Sequence, residues 1–358
     1  MIPVNKPFLP PKEEYEAYLQ GIWQRTWLTN NGPLVNELEL KLKEYLQVPH
    51  MLYVSNGTIA LQIAIKALAL KGEIITTPFS YVATSSSIVL EGCTPVYVDI
   101  DPHTFNIDPA KIEEAITSRT SAIIATHVYG NPCDIDVIDA IAKKHGLKTI
   151  YDAAHAFGTK YKGKSIFTYG DVSTASFHAT KLFHTIEGGA VFTQAPDLLN
   201  RMSYMRNFGH DGPEKFNGVG INGKNSEFHA AMGLANLKWI NSILRRRIEL
   251  HDYYRKALRN VNAIYPVPQT NAMCNYSYFP LLFPTEAQLI DVVTELNKNL
   301  IYPRRYFYPS LTELGYVERK ALHNTNDISR RVLCLPLYND LSLEEIDLIA
   351  GHILRIVK

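Results

Sequence analysis

Two nearby runs decide the fold: Lys148-Thr149-Ile150-Tyr151-Asp152-Ala153-Ala154-His155, then Thr174-Ala175-Ser176-Phe177-His178-Ala179-Thr180-Lys181, closing on Glu187-Gly188-Gly189. Each starts as an apolar run of strand length and ends in a polar turn that carries chemistry. The first run leaves a carboxylate, Asp152, at its end, and the second leaves a lysine, Lys181. A lysine and an aspartate at neighbouring strand ends can form the two poles of a pyridoxal phosphate site. The lysine holds the aldehyde covalently, and the carboxylate holds the pyridinium nitrogen. The glycine pair lets the backbone turn tightly beside a ligand.

Outward from these runs, apolar segments at 51–54, 73–76, 95–98, 122–125, 148–151, 174–177 and 190–192 alternate with amphipathic stretches at 59–70, 83–90, 110–116 and 135–145. Strands alternating with crossover helices predict a mostly parallel sheet covered on both faces, with its ligand at the carboxyl ends of the strands. Helical spacing also covers 34–46, and one long helix is predicted over 227–259. Beyond it the pattern changes to strands near 277–283 and 332–335 and helices at 286–298 and 342–356. The expectation is an α/β chain with a large domain over 13–245 and a smaller C-terminal α/β domain over 246–358, residues 1–12 packing on the latter.

The length of 358 residues suits one large and one smaller core. Thirty-six Lys and Arg nearly cancel 35 Asp and Glu, which favours neither a nucleic-acid partner nor an anionic membrane surface. Four separated cysteines, with no CxxC and no paired histidines, predict reduced thiols and no metal site. No run approaches the roughly 18 apolar residues of a membrane span, and residues 1–11 lack signal-peptide character, so a cytoplasmic protein is expected.

Further residues extend the site. Ser55-Asn56-Gly57-Thr58 joins a strand to a helix, where free N–H groups and a hydroxyl suit an anion. Ser176 offers a second hydroxyl to the same anion. Tyr81 or Phe79 supplies an aromatic to stack on a ring, and His155 either contacts the ring or orients Asp152. Gly218-Val219-Gly220-Ile221-Asn222-Gly223 matches a dinucleotide fingerprint formally, yet no strand precedes it, so it reads as a loop contributing Asn222.

Taken together, the chain resembles the DegT-type sugar aminotransferases, a branch of the fold type I pyridoxal phosphate enzymes. Trp27-Leu28-Thr29 with Gly32-Pro33, the 55–58 turn, Thr77-Pro78-Phe79, Asp152-Ala153-Ala154-His155, the 176–181 run, Glu187-Gly188-Gly189, Asn222 with Glu227, and Leu335-Pro336-Leu337-Tyr338 carry the likeness nearly end to end. The resemblance implies that Lys181 is catalytic and carries the cofactor, that Asp152 binds the ring nitrogen with His155 beside it, and that Tyr81 stacks on the ring. Gly57, Thr58 and Ser176 would hold the phosphate. Asn222 would reach the cofactor phosphate of a neighbouring subunit, which implies a homodimer with shared active sites. Thr29, His178, Lys224, Arg304 and Tyr308 are the implied substrate contacts.

Family members that aminate carbon 4 often carry Ser-Phe-His ahead of the lysine, so His178 implies a 4-aminotransferase. The pattern is similar to members that transfer an amino group from L-glutamate to dTDP-4-dehydro-6-deoxy-D-glucose, a reaction of surface-glycan synthesis. Pyridoxamine phosphate would be the half-reaction form of the cofactor. Two departures stand out. Lys224 replaces an arginine with a point charge, and the segment 302–308, with Arg304 and Arg305, replaces a histidine-containing loop. A 3-aminotransferase, a UDP- or GDP-sugar 4-aminotransferase and a non-catalytic regulator on the same fold remain the alternatives. Lys181 disfavours the family's dehydratase branch, in which histidine replaces that lysine. An NAD-dependent oxidoreductase would need a strand-bound glycine fingerprint that the chain lacks.

Overall fold

The computed structural model describes residues 1–357. Its centre is a seven-stranded sheet built from β1 (His50–Val54), β2 (Glu73–Thr76), β3 (Thr94–Tyr97), β4 (Thr120–Thr126), β5 (Lys148–Asp152), β6 (Val172–Ser176) and β7 (Gly189–Thr193). The spatial order is β1-β7-β6-β5-β4-β2-β3. Pairings among β2 to β6 are parallel, and β7 runs antiparallel to both its neighbours. All seven strands fall where the apolar runs place them.

Side chains alternate across this sheet, as the two-residue strand period requires. Ile123 and Tyr151 face a core that includes Leu38 of helix Pro33–Leu46 and Ile138 of helix Ile135–His145. Ile124 and Ile150 face the opposite core, shared with Ala60 and Ala64 of helix Gly57–Ala67 and with Met202. Both faces are therefore covered, and the strand ends are the place left for a ligand. Register brings those ends together: Gly189 pairs with Val54 on one side and Ser176 on the other, while Asp152 pairs with Thr174 and Thr126.

Two expected helices differ. Residues 110–116 form two 3-10 turns, Pro109–Lys111 and Glu113–Ala115, rather than one helix. The stretch is about two turns long, too short to offset helix nucleation, and within it only Ile112 is fully buried in the core, Ala115 and Ile116 packing against it part-buried. The long helix over 227–259 is two, Glu227–Leu237 and Ile240–Ala257. At the break the buried Asn236 amide donates to the His184 carbonyl at 2.9 Å, and the Trp239 indole donates to Glu14 at 3.1 Å. Those anchors bend the chain at Lys238-Trp239.

Helix Ile240–Ala257 then enters a separate apolar cluster containing Leu250, Tyr254, Phe279, Leu335 and Ile353. Strands Phe279–Leu282 and Val332–Leu335 pair antiparallel there, and helix Leu343–Ile356 begins with a Ser342/Glu345 capping box. Ile2 joins this cluster, and Ile2–Pro3 pairs in parallel with Ile301–Tyr302. Asp99, just beyond β3, accepts from the Asn324 and Thr325 amides at 2.9 and 2.8 Å, tying helix His323–Arg331 to the central sheet. Among the described residues no helix is long and apolar enough to cross a membrane.

Candidate active site

Three strand ends build one side of the site. After β1, Asn56 caps helix Gly57–Ala67, its Oδ1 accepting the Ile59 N–H at 2.9 Å. The Gly57 and Thr58 amides belong to the first turn, where helical N–H groups have no intrahelical partner. Packing requires the glycine. A Cβ on Gly57 would lie 2.9 Å from the Ser176 Cβ, and one on Gly189 would lie 2.5 Å from the Asn56 carbonyl carbon. Close approach of β1, β7 and β6 thus leaves free amides beside the Ser176 hydroxyl, an arrangement that accepts an anion.

On the other side, Asp152 ends β5 and is 5% exposed. Its Oδ2 accepts the Thr84 hydroxyl at 2.7 Å, and its Oδ1 accepts the Ala154 amide at 3.1 Å. Burial pushes the carboxyl up, opposed by those two donors and by the Lys181 charge. Lys181 follows β6 in a tight turn, its N–H donating to the His178 carbonyl at 2.8 Å. The residue is partly exposed, yet its ammonium sits deep enough for burial to pull its pKa down, against the opposing pull of Asp152, Tyr306 and Tyr81. Lowering brings the amine nearer to its nucleophilic, unprotonated form.

His155 is buried between two rings. It stacks on Phe307 with centroids 5.6 Å apart and tilts against Tyr278 at 4.8 Å. Burial, reinforced by Lys181, drives its pKa well below the usual value and keeps the imidazole neutral. Its Nδ1 accepts the Tyr129 amide at 3.3 Å, which places the remaining ring hydrogen on Nε2.

Gly57, Thr58, Tyr81, Asp152, His155, Ser176, His178, Lys181 and Arg304 all line one cavity of about 640 Å³. Tyr81 stands exposed at the start of helix Val82–Leu90. His178 accepts the Thr180 amide on Nδ1 at 3.2 Å, with Nε2 3.5 Å from Glu187 Oε1. Arg304 is exposed, its guanidinium carbon 5.7 Å from the Tyr306 ring centre.

The other candidates lie off this cavity. Thr29 sits on an exposed loop where its carbonyl accepts from the Trp27 indole at 2.5 Å. Tyr308 lies beneath the Arg305 guanidinium at 3.6 Å, and Arg305 pairs with Glu286 at 2.7 Å. Asn222 is exposed and accepts from Lys224 at 2.8 Å, while Lys224 caps the Phe208 ring at 4.6 Å. The adjacent Gly223 carbonyl accepts the Ser55 amide at 2.9 Å, so this segment abuts the outside of the Gly57 turn. Nothing in the sequence singles out Thr84, Tyr278, Tyr306 or Phe307, which the fold also brings to the site, while Glu187, legible there only as part of a tight turn, lines the cavity beside His178. Thr84 looks like any helix threonine, and the three aromatics lie more than 90 residues beyond Lys181.

Comparison with known proteins agrees with this geometry. The DegT/DnrJ/EryC1/StrS aminotransferase family matches residues 11–354. The chain is 44% identical to the dTDP-4-amino-4,6-dideoxy-D-glucose transaminase of Shigella dysenteriae, across 99% of this chain and 98% of that protein. It is 34% identical to the GDP-perosamine synthase of Escherichia coli O157:H7, across 96% and 95% of the two chains. The crystal structure of DesI in the presence of its TDP-sugar product superposes with a TM-score of 0.93 at 32% identity, covering 99% of this chain and 92% of that one. A lysine whose amine sits deep and a buried aspartate, at or just past adjoining strand ends in a chain matched over nearly its whole length, place this protein in the DegT/DnrJ/EryC1/StrS aminotransferase family.

Proposed function

We propose that this aminotransferase uses pyridoxal phosphate to move an amino group from L-glutamate to carbon 4 of a nucleotide-linked 4-keto-6-deoxy sugar. The substrate is dTDP-4-dehydro-6-deoxy-D-glucose, and the product is dTDP-4-amino-4,6-dideoxy-D-glucose. The observation that carries this reading is Lys181, its amine lowered by burial, sharing a cavity with Asp152 in a chain 44% identical to a transaminase named for that product.

The residues fit the cofactor. The Gly57 amide lies in a cradle that a Cβ would fill, and the buried Asp152 carboxylate forms no ion pair within 4 Å among the described residues. When bound, pyridoxal phosphate supplies the electron sink that lets a carbon next to nitrogen lose a proton. Gly57, Thr58 and Ser176 hold its phosphate, and Tyr81 covers the ring. Asp152 faces the ring nitrogen, where a cation reverses the upward push of burial and keeps the carboxylate ionised. Neutral His155 packs behind the ring without adding charge. Lys181 Nζ would take the proton from the α-carbon of the amino donor and return it to the carbon on the far side of the nitrogen, two atoms along; in the second half it would move a proton the opposite way, onto carbon 4 of the sugar. Arg304, at the cavity edge and without an ion pair among the described residues, suits the sugar nucleotide's diphosphate, and His178 on Glu187 suits its hydroxyls.

Asn222 would reach the partner's cofactor phosphate in a homodimer, and Thr29, Lys224 and Tyr308 would contact the substrate. The chain would divide into a large domain over 13–245 and a small one from 246 onward, with residues 1–12 against the latter. The deciding experiment incubates protein, L-glutamate and dTDP-, UDP- and GDP-4-keto-6-deoxy sugars, and reads products by NMR. Amine at carbon 4 of the dTDP sugar is expected. Amine at carbon 3, or turnover of the GDP sugar alone, removes the substrate assignment.

A further inference from the structure

A second cavity, of about 290 Å³, lies on the far side of Tyr278 from the active site. Tyr278 lines both spaces, so one ring separates them. The new cavity opens between helix Ile240–Ala257, the 265–268 segment and the 274–280 segment. His251 and Arg255 of the helix stand four residues apart, hence on one face, and both line it. Its volume is close to the lower end of the roughly 300–1,000 Å³ typical of ligand pockets.

The walls are flat and ring-like: Pro266, Pro268, Tyr276, Tyr278 and Tyr265. Across the Tyr265 face lies the Arg255 guanidinium, its carbon 3.5 Å from the ring centre. Arg255 forms no ion pair within 4 Å among the described residues. Of the buried polar atoms on residues lining the same space, the Tyr265 hydroxyl oxygen has no hydrogen-bond partner among the described residues, and His251 Nδ1 has only Asp252 Oδ1, 3.6 Å away. A buried polar atom without a partner is costly and infrequent in native folds, so the Tyr265 hydroxyl beside one unpaired cation calls for a ligand that satisfies it. Burial raises the Tyr265 phenol and lowers His251, so the first stays a donor and the second stays neutral near pH 7.

We propose that this pocket binds a small planar aromatic anion, one ring carrying a carboxylate or phosphate. The ring lies between the proline and tyrosine plates, and the anion meets the Arg255 guanidinium and the Tyr265 hydroxyl. The site is distinct from the active cavity and does not depend on which sugar the enzyme aminates.

Calorimetric titration of phenyl phosphate into the holoenzyme, freed of excess pyridoxal phosphate, tests this. Expected are one site per chain, at least tenfold weaker binding by Arg255→Gln, and at least tenfold weaker binding of phenol and of inorganic phosphate alone. Arg255→Gln should keep the wild-type kcat in transamination. Where that variant loses the wild-type unfolding midpoint, Tyr265→Phe, which removes one oxygen, decides by the same criterion. Unchanged affinity in the deciding variant, or no saturable binding by the wild-type protein, overturns the assignment.

Discussion

The Thr84 hydroxyl donates to Asp152 Oδ2 at 2.7 Å, and this one bond orders a chain of hydroxyls beneath the site. A hydroxyl has a single hydrogen. Because Thr84 gives its hydrogen to Asp152, its oxygen accepts from Ser80, 2.9 Å away. Ser80 in turn accepts from Thr126 at 3.0 Å. All three are buried, so the relay stiffens the carboxylate that faces the cofactor ring.

Thr84→Val therefore removes a donor from a buried carboxylate while keeping the side-chain shape. A hydrogen bond to a charged group is worth about 1.5–3 kcal/mol, so pyridoxal phosphate affinity should fall roughly tenfold or more. Asp152→Asn should lower kcat further, since an amide cannot hold the ring nitrogen in its protonated form. Cofactor titration and kcat for both variants check the order; equal cofactor affinity in Thr84→Val and wild type contradicts the relay.

Lys181→Ala should abolish turnover and the visible absorbance of lysine-bound cofactor. Phosphate anchoring does not use the lysine, so non-covalent cofactor binding should persist. Absorbance spectra and glutamate-dependent release of 2-oxoglutarate measure both. Detectable turnover at the wild-type rate would remove Lys181 from the reaction.

Gly57→Ala is expected to fail for a steric reason. Its Cβ would stand 2.9 Å from the Ser176 Cβ and 3.3 Å from its Cα, backbone that cannot move aside cheaply. Overpacking of this kind costs about 1–3 kcal/mol, and the shift spoils the anion cradle as well. Gly351→Ala, which meets nothing within 4 Å in a helix, is the contrast and should leave both stability and cofactor affinity intact. Thermal midpoints and cofactor titrations separate the two.

The strands and the chemistry at their ends were legible because the two signals coincide locally. Ile150-Tyr151 buries on both faces of the sheet, and the next residue, Asp152, is the first with no reason to be apolar. Gly57 and Gly189 announce close approach, although neither says to what. Less could be read where the reason is tertiary. The break at Lys238-Trp239 depends on His184 and Glu14, which lie more than 50 residues away in the chain. Glu227 is a sharper case. It is wholly buried, and its two oxygens accept the Leu34 and Val35 amides at 2.9 Å, capping a helix that starts nearly 200 residues earlier. A cap supplied from so far along the chain has no local pattern to give it away. Tyr278, Tyr306 and Phe307 likewise reach the cavity only after the second apolar cluster has folded back on the sheet.

Acid should destabilise this protein earlier than carboxylate titration alone would. His127 is fully buried, stacked on Tyr151 at 5.0 Å, and its pKa is lowered by burial to about 3. His155 moves in the same direction, well below the ordinary value. In the unfolded chain both titrate near 6.5. Below that pH the unfolded state binds protons that the folded state refuses, so stability is fully present above about 6.5 and falls as pH drops. Each such histidine contributes a loss of about 1.4 kcal/mol per pH unit until its folded pKa is reached. Between pH 6.5 and 5.5 the pair should cost about 2 kcal/mol, allowing for partial titration near 6.5. His127→Gln keeps an acceptor for the Cys133 amide, which donates to His127 Nδ1 at 3.0 Å, but cannot titrate. Urea midpoints measured across that window should fall about half as steeply in His127→Gln as in the wild type. An identical slope in the two proteins would place the acid sensitivity elsewhere.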